Sequence, residues 1–222
     1  MSNNVFEGFI MSIIAQHGLM SVKVGGGGGG GGDTVNIGGR EYPIVQIGNQ
    51  VWLAENLDFK FPGLVVGANG TSSSEPRANY YDNDESTYGV NGNKYGLLYN
   101  YEAVTYLNSH RTELIPGWHV PTYSECEELV GVVGGVSTAG TKLKSTTDWS
   151  SGAGTDDYGF SALPAGYYEG HFFAVCNKAY FYTDTVMYDA SFFLYFDEGA
   201  SVTLGGRQKT YQYSVRLVKD VQ

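Results

Sequence analysis

Short apolar runs separated by turn residues follow one another along the chain after Asp33, and this pattern predicts β-strands. The run YPIVQI at Tyr42–Ile47 is followed by Gly48-Asn49 and then by a second apolar run, QVWLAENL. Two such runs joined by a two-residue turn of this kind are typical of a β-hairpin. We therefore predict a hairpin here, with Trp52 as its anchor in the core.

Two segments have a helical pattern instead. The first covers about Tyr99–Leu107. The second begins after Thr122, because Glu125 follows three residues later, which is the spacing of a capping box in which each side chain binds the other residue's free backbone N–H. Its predicted buried stripe consists of Cys126, Leu129, Val130 and Val133, and Gly134-Gly135 ends the helix.

The later part of the chain is rich in aromatic residues. Between Tyr158 and Tyr213 there are nine tyrosines and seven phenylalanines, in short alternating runs that predict strands. The polar stretch Pro62–Arg77 has no apolar periodicity and is predicted to be a surface loop. With helices early and an antiparallel sheet late, the predicted fold class is α+β, with two helices and an antiparallel sheet.

Eight consecutive glycines at Gly25–Gly32 divide the chain into residues 1–24, residues 25–32 and a domain at residues 33–222. A domain of about 190 residues buries roughly 70% of its unfolded surface, so it needs neither a metal nor a disulfide. We interpret residues 1–24 as an attachment or oligomerisation segment, or else as a disordered leader. The glycines form a flexible linker, or pack with copies from other chains in a polyproline-II-like bundle. We expect a homo-oligomer held through residues 1–32, with a trimer as one form.

The net charge of −10 disfavours binding to DNA, RNA or anionic lipid, so we expect no nucleic-acid partner. No lysine or arginine precedes the apolar residues near the N-terminus, so this segment is neither a good signal peptide nor a membrane span, and no membrane insertion is expected. Cys126 and Cys176 are the two cysteines, and they are either two buried thiols or a disulfide.

The sequence contains no clear catalytic or metal-binding pattern. The histidines at 17, 110, 119 and 171 lie in no metal-ligand pair, and His119 is interpreted as a structural hydrogen-bonding residue. The acidic run Asp82, Asn83, Asp84 and Glu85 carries oxygen ligands that calcium would accept, but a solvated acidic turn is the simpler interpretation. We predict that the protein is not an enzyme and needs no cofactor, with calcium as the alternative.

A series of motifs in a fixed order carries a family resemblance. They are IGNQVWLAENL, YYDNDES, YGLLYNYEAV, PGWHVPTYSECEEL, AGTKLKS, GTDDYGFSALPAG and YSVRLVKD. Together they resemble the Fibrobacter-type major paralogous (FISUMP) domain over about Val35 to Asp220. That family is similar in architecture to C-type lectins and to the formylglycine-generating enzyme, so the resemblance implies a C-type-lectin-like domain. The enzyme chemistry would need a cooperating cysteine pair for copper, whereas Cys126 lies in a predicted helix.

Some members of this fold are variable proteins of diversity-generating retroelements, including phage receptor-binding proteins. The chain departs from the usual family pattern from Tyr182 onward, where such proteins vary. Tyrosine suits a variable binding face because its ring offers a large contact area and a hydroxyl with only two torsions to order. The predicted ligand contacts are Tyr182, Asp184, Tyr188, Asp189, Ser191, Phe193 and Tyr195.

Other aromatic residues are predicted to support that face. The inward-facing partners are Phe181, Phe192, Leu194 and Phe196, and a one-residue slip would exchange the two sets. A rigid support is predicted from Trp118, Trp149, Phe160, Leu163 and Pro164. The function expected is a virion-borne tail-fibre tip that binds a bacterial surface protein or glycan. The alternatives are a bacterial cell-surface or secreted adhesin and, least favoured, an enzyme of the formylglycine-generating type.

Overall fold

The computed structural model describes residues 22–23, 33–67, 74–84 and 95–220. Apart from residues 22–23, the predicted N-terminal segment and the glycine run lie outside the described residues, as does Glu85 of the acidic run. The described part is a mixed α+β structure that consists mostly of sheet, which confirms the α+β class. It contains four helices and four separate sheets, rather than the two helices and one antiparallel sheet predicted. No helix in this part is long and apolar enough to cross a membrane.

The strands are β1 (Val22–Lys23), β2 (Thr34–Ile37), β3 (Arg40–Ile47), β4 (Gln50–Leu53), β5 (Val65–Val66), β6 (Arg77–Asn79), β7 (Leu98–Tyr99), β8 (Tyr167–Tyr168), β9 (Phe172–Phe173), β10 (Ala179–Met187), β11 (Ala190–Phe196), β12 (Val202–Gln208) and β13 (Val218–Asp220). The described helices are α1 (Tyr101–Ser109), α2 (Arg111–Leu114), α3 (Tyr123–Val132) and α4 (Val136–Leu143), with a 3-10 turn at Tyr81–Asn83.

The predicted hairpin is confirmed as β3 and β4. Ile47 lies opposite Gln50, so the turn has two residues, and Trp52 is buried. These strands belong to a sheet with the order β1-β2-β3-β4-β13. Val218 of the C-terminal strand lies opposite Trp52, which joins the end of the domain to its beginning.

The two predicted helices form, with corrected boundaries for the first. It begins at Tyr101 rather than Tyr99, because Tyr99 pairs in β7 and the Asn100 side chain caps the helix by accepting from the Ala103 N–H at 2.9 Å. The predicted capping box of α3 is confirmed, since the Glu125 N–H donates to Thr122 Oγ1 and the Thr122 N–H donates to Glu125 Oε2. The four residues of its predicted apolar stripe are buried.

Helices α2 and α4 were not predicted. The first has only four residues, and the second contains Gly140, which lowers helix propensity. The loop predicted at Pro62–Arg77 is also corrected, because Val65–Val66 pairs in parallel with Arg77–Ala78. A strand of two residues leaves no detectable period in a sequence.

The sheet β10-β11-β12 has apolar core on both faces. Phe181, Leu194 and Phe196 pack on one face with residues from α3 and α4. Tyr180, Tyr182 and Phe193 pack on the other face against residues that include Tyr213. Alternation along these strands therefore separates two buried environments, rather than core from solvent.

Two buried cations hold the irregular loops in place. Arg216 donates to the backbone carbonyls of Leu53, Phe160 and Ser161 and to Asn56 Oδ1. Lys144 donates to three carbonyls, those of Gly152, Asp197 and Gly199. Loop carbonyls without a sheet partner need such donors when they are buried.

The five residues predicted to form a rigid support are all buried: Trp118, Trp149, Phe160, Leu163 and Pro164.

Both cysteines are free thiols, so the disulfide alternative is wrong. Cys126 is buried, and burial raises the pKa of its thiol. Cys176 is only half-buried, with its sulfur 3.5 Å from the Tyr95 hydroxyl. Only the Cys126 thiol is therefore buried, contrary to the expectation of two buried thiols.

Candidate functional site

Four of the predicted contact residues share one face of the sheet, as their alternation suggested: Tyr182, Ser191, Phe193 and Tyr195. Tyr182 lies opposite Phe193 and Tyr180 opposite Tyr195, so these side chains project to the same side. However, Tyr182 and Ser191 are 0% exposed and Phe193 is 5% exposed. The expectation that these three side chains lie at the surface is corrected, and contact with a ligand stays a prediction for the exposed members of the set.

The physical reason is a stack of rings over this face. Tyr213 packs with its ring centroid 4.8 Å from Tyr180, 5.0 Å from Tyr182 and 5.6 Å from Phe193. The Tyr182 hydroxyl donates to the backbone carbonyl of Tyr211 at 2.7 Å.

Ser214 pairs with Phe181, so residues 212–214 run beside β10 and place the Tyr213 ring on the same face as Tyr180 and Tyr182. This face packs into the core with helix residues Ala103, Val104 and Leu107. The patterns of β10 and β11 alone do not indicate these contacts.

The predicted inward set is correct except at Phe192. Phe181, Leu194 and Phe196 are buried, but Phe192 is half-exposed and packs edge-on against Tyr123 at 5.2 Å. Its neighbour across the sheet is Gly206, as Gly205 is for Phe193. The two phenylalanine rings therefore lie along opposite faces of a glycine pair, where no side chain competes for the space.

Asp184 is half-buried and anchors β10 to neighbouring elements. Its Oδ2 accepts from Asn108 Nδ2 at 3.0 Å, and its N–H donates to the Pro121 carbonyl at 2.8 Å. Burial and the nearby Glu125 carboxylate raise the pKa of Asp184. The Asp184 carboxylate is therefore engaged with the scaffold, in a stretch where the β10–β11 register shifts between Tyr182 and Val186.

The tip of the β10–β11 hairpin carries the most exposed members of the predicted set. Tyr188 is 93% exposed, and Asp189 beside it is also exposed. The φ angle of Tyr188 is 57°, in the left-handed region that tyrosine rarely adopts. Tyr188 and Asp189 form the two-residue turn between Met187 and Ala190, and such turns use positive φ angles.

Four partly exposed aromatic side chains lie together beside the buried stack, and we call them the tyrosine platform: Tyr167, Phe173, Tyr195 and Tyr211. Tyr167 stacks on Phe173 at 5.3 Å with the ring planes 23° apart, and lies 5.9 Å from Tyr211. Tyr180 links Tyr195 to Tyr167, because the Tyr180 ring centroid lies 4.6 Å from that of Tyr195 and 5.3 Å from that of Tyr167. Each platform ring is thus partly exposed, and the ring contacts above hold it in place.

Sequence reasoning identified only Tyr195 of these four residues. Tyr167 follows the GTDDYGFSALPAG motif, Phe173 lies in the next short strand, and Tyr211 precedes the closing YSVRLVKD motif. Their one shared signal was the density of aromatic residues after Tyr158. Because they come from three separate segments, only the tertiary fold brings them together.

Charged side chains surround the platform. Lys178 Nζ lies 5.6 Å from the Tyr195 ring centroid, and Arg207 Cζ lies 5.7 Å from that of Tyr211. The Tyr195 hydroxyl donates to Asp197 Oδ2 at 3.2 Å. Burial, followed by the neighbouring Tyr180 and Asp197, raises the pKa of Tyr195. Its hydroxyl is therefore protonated at neutral pH.

The other candidate groups have structural surroundings. His119 Nε2 lies 2.5 Å from Glu125 Oε1, and the His119 backbone pairs with Val218, which agrees with a structural role. Asp82, Asn83 and Asp84 lie at the 3-10 turn, where Asp82 and Asn83 have positive φ angles. Within the described ranges, no three or more His, Cys, Asp or Glu side chains are grouped so that they could hold a metal ion.

Comparison with known proteins agrees with the motifs. No curated protein and no solved structure matches the sequence. One family model, the Fibrobacter succinogenes major domain, matches residues 45–219, which is more than half of the chain. The match begins near the end of β3, covers β4 and all four helices described above, and continues into β13. The chain therefore belongs to the Fibrobacter succinogenes major domain family.

Proposed function

We propose that this protein is a ligand-binding domain that holds an external target on the tyrosine platform and on the Tyr188 hairpin tip. The observation that carries the proposal is the platform itself, in which partly exposed rings rest on a fully buried aromatic stack. Ordering a mobile side chain on binding costs about 0.5–1.5 kcal/mol. Rings already held by Tyr180 and Tyr213 avoid much of that cost.

The buried cations support the same role. Arg216 and Lys144 hold the carbonyls of Phe160 and Gly152, in the irregular segment that precedes Tyr167. A binding site keeps its geometry only if the segments that position its side chains are rigid. We therefore propose binding rather than catalysis, on a C-type-lectin-like architecture.

We also propose, from the sequence, which particle or cell surface carries this domain. The first candidate is a phage tail-fibre tip that recognises a bacterial surface protein or glycan, with several copies joined through residues 1–32. Several copies on one particle would raise avidity by roughly 10²–10⁴. The alternative is a bacterial cell-surface or secreted adhesin. Neighbouring tail genes in the source DNA would favour the first, and an upstream export signal the second.

Binding of the labelled full-length protein to a panel of whole bacterial cells tests the proposal. The double variant Tyr195→Ser/Tyr211→Ser is expected to lose at least about tenfold in cell binding, because tyrosines at the centre of a contact carry a large share of its energy. The matched control is Tyr106→Ser, which removes a half-buried tyrosine that stacks on Phe61 at 5.5 Å, outside the platform. Unchanged cell binding by a folded double variant would contradict the proposal.

A further inference from the structure

The β10-β11-β12 sheet has two long edges, and the protein itself covers only one of them. At the β10 edge, the Tyr182 N–H donates to the Ser214 carbonyl at 3.0 Å, and the Ser214 N–H donates to the Tyr180 carbonyl at 3.1 Å. At the other edge, the seven-residue strand β12 pairs with β11 and with no other described strand. The strands at the ends of the other described sheets have only two or three residues.

Alternation along the strands shows which backbone groups of β12 face outward. In an antiparallel sheet, successive residues direct their N–H and C=O groups to opposite neighbours. Because the residues on both sides of Phe181 bond outward, Phe181 bonds to Leu194, its partner in β11. The adjacent β11 residue, Phe193, then bonds to its partner Gly205. Gly206 and the other even-numbered residues of β12 therefore direct their backbone groups away from the sheet, where no described residue bonds to them.

The centre of this edge carries Gly205 and Gly206, although the fold does not require glycine there. Neither φ angle lies in the left-handed region, and a Cβ on either residue would lie 3.4 Å from its nearest neighbouring atom, which is ordinary contact. Natural edge strands commonly carry proline or charge that blocks pairing with another chain. The centre of β12 has only backbone, so a second strand can approach it.

Two phenylalanine rings border the space beside these glycines. A Cβ on Gly205 would lie 3.4 Å from Phe193 Cζ, and one on Gly206 would lie 3.5 Å from Phe192 Cε2. The two rings lie on opposite faces of the sheet, and successive residues of a strand paired with β12 would also project to opposite faces. Two adjacent apolar side chains of such a strand would therefore each pack against one ring.

From this edge we infer that the external target is a protein, of which an extended segment adds to β12 as a further strand and places two adjacent apolar side chains beside Gly205 and Gly206. The inference rests on the proposed binding function and narrows its target. Thr203 of β12 lies opposite Tyr195 of the platform, so the added strand would lie next to that row. Outward N–H and C=O groups at strand spacing are matched by another extended backbone, whereas a glycan has no peptide groups.

A second copy of this chain is a less suitable occupant of the edge. Residues 202–209 contain Arg207 and Lys209 but no acidic residue, so a copied strand would bring more positive charge to this edge. Each copy also has a net charge of −10, which opposes association of whole molecules. We therefore assign the edge to a segment of the target.

Peptides tested on the full-length protein check this inference. Random peptides displayed on phage are selected on the immobilised protein, and we expect the enriched peptides to carry two adjacent apolar residues. Synthetic copies are then N-methylated on either their odd-numbered or their even-numbered residues and titrated by calorimetry. Only one set faces β12 in an added strand, so that set should weaken binding about tenfold or more while the other leaves it nearly unchanged. No enrichment, or an equal effect of both sets, would overturn the inference.

Two substitutions at one position connect the peptide to the edge. Gly206→Pro removes an outward N–H but no hydrogen bond of the β11–β12 ladder, which is where an edge strand tolerates proline. It should weaken peptide binding about tenfold or more, whereas Gly206→Ala keeps the N–H and should change binding less than about threefold. Circular dichroism checks folding, and the methylated peptides decide the matter on the unaltered protein if Gly206→Pro does not fold. Unchanged binding by folded Gly206→Pro would overturn the inference.

Whole-cell binding separates this inference from the proposed function. We expect protease digestion of the cell surface, and Gly206→Pro, each to reduce cell binding about tenfold or more. If cell binding depends on Tyr195 and Tyr211 but on neither of these changes, the inference fails while the proposed function stands. If none of the changes matters, both fail. If Gly206→Pro instead reduces the size of the full-length oligomer in sedimentation, a second copy occupies the edge and the inference fails.

Discussion

At the scale of single residues, buried charged groups decide which loops are rigid. Arg216 is completely buried, and its guanidinium lies over the rings of Phe160 and Phe181 at 4.8 Å and 5.3 Å. Burial lowers the pKa of Arg216 to about 9, although the side chain still carries its charge at neutral pH. Arg216 stabilises the fold by donating hydrogen bonds to buried carbonyls of two separate segments, at Leu53 and at Phe160 and Ser161.

Replacing Arg216 by methionine should therefore strongly lower the free energy of unfolding. Arg216→Met fills part of the space but leaves the carbonyls of Leu53, Phe160 and Ser161 without their donor. A buried acceptor left without its hydrogen-bond donor costs about 1–3 kcal/mol. Urea unfolding measures the loss, with Arg111→Met as the exposed control. A loss below about 1 kcal/mol would show that other groups or water satisfy these carbonyls.

Two half-buried carboxylates should affect stability with opposite signs. Burial alone would raise the pKa of Glu125, but hydrogen bonds from His119 and Thr122 outweigh it, so the pKa is lowered. Its stabilising contribution is present above the unfolded pKa of about 4.5 and is lost as the pH falls through the folded value. The pKa of Asp184 is raised, so its ionisation opposes folding once the pH rises through the folded value.

Isosteric amides test this sign difference. At pH 7, Glu125→Gln should lower the melting temperature, whereas Asp184→Asn should leave it unchanged or raise it. As the pH falls toward 2, the wild-type carboxyls also take up protons, so each difference should shrink. Thermal unfolding followed by circular dichroism across pH 2–7 measures both effects. A fall of equal size for both variants at pH 7 would contradict the opposite assignments.

At the scale of elements, close contact between a helix and a loop overrides intrinsic propensity. A Cβ on Gly140 of α4 would lie 2.5 Å from the Ala200 carbonyl oxygen and 2.7 Å from that of Ser201. The Thr141 N–H donates to the same Ala200 carbonyl at 3.1 Å, so the loop cannot move away without losing this bond. Gly131 of α3 has no heavy atom within 4 Å of such a Cβ.

The same substitution at these two glycines should therefore have opposite effects. Gly131→Ala should stabilise the protein by about 0.5–1 kcal/mol, because alanine loses less backbone entropy in a helix. Gly140→Ala should destabilise it by about 1–3 kcal/mol, the typical cost of overpacking. Urea denaturation of both variants measures the pair, and stabilisation by Gly140→Ala would show that the loop at Ala200 yields easily.

At the scale of the whole molecule, binding and attachment are proposed to reside in separate parts of the chain. In the described structure the buried core begins at Val35. The predicted oligomerisation segment precedes it, at residues 1–32. A separate attachment segment allows the binding domain to keep its fold whatever the number of copies.

Removing residues 1–32 should abolish oligomerisation while residues 33–222 still fold. We expect the full chain to sediment as an oligomer and the truncated chain, residues 33–222, to sediment as a monomer. Its melting temperature should fall only slightly, because the truncation also removes the two-residue edge strand β1, which pairs with Thr34 and Val35. Analytical ultracentrifugation and thermal unfolding check both points. The same sedimentation behaviour for the two chains would exclude residues 1–32 as the oligomerisation segment.

The sequence by itself determined the local elements that have local causes. The β3–β4 hairpin follows from a two-residue turn between apolar runs, and α3 follows from the Thr122–Glu125 capping box and its apolar stripe. The ordered motifs also indicated the family. In each case the residues responsible are neighbours in the chain, so their spacing is sufficient information.

Only the tertiary structure decided which aromatic side chains are exposed. Alternation along β10 and β11 correctly grouped Tyr182 and Phe193 on one face, but it could not reveal that this face packs against Tyr213 and helix residues in the core. The platform joins Tyr167, Tyr195 and Tyr211 from segments that are far apart in sequence. Burial depends on what packs over a face, and that is set by long-range contacts that a strand's own pattern does not encode.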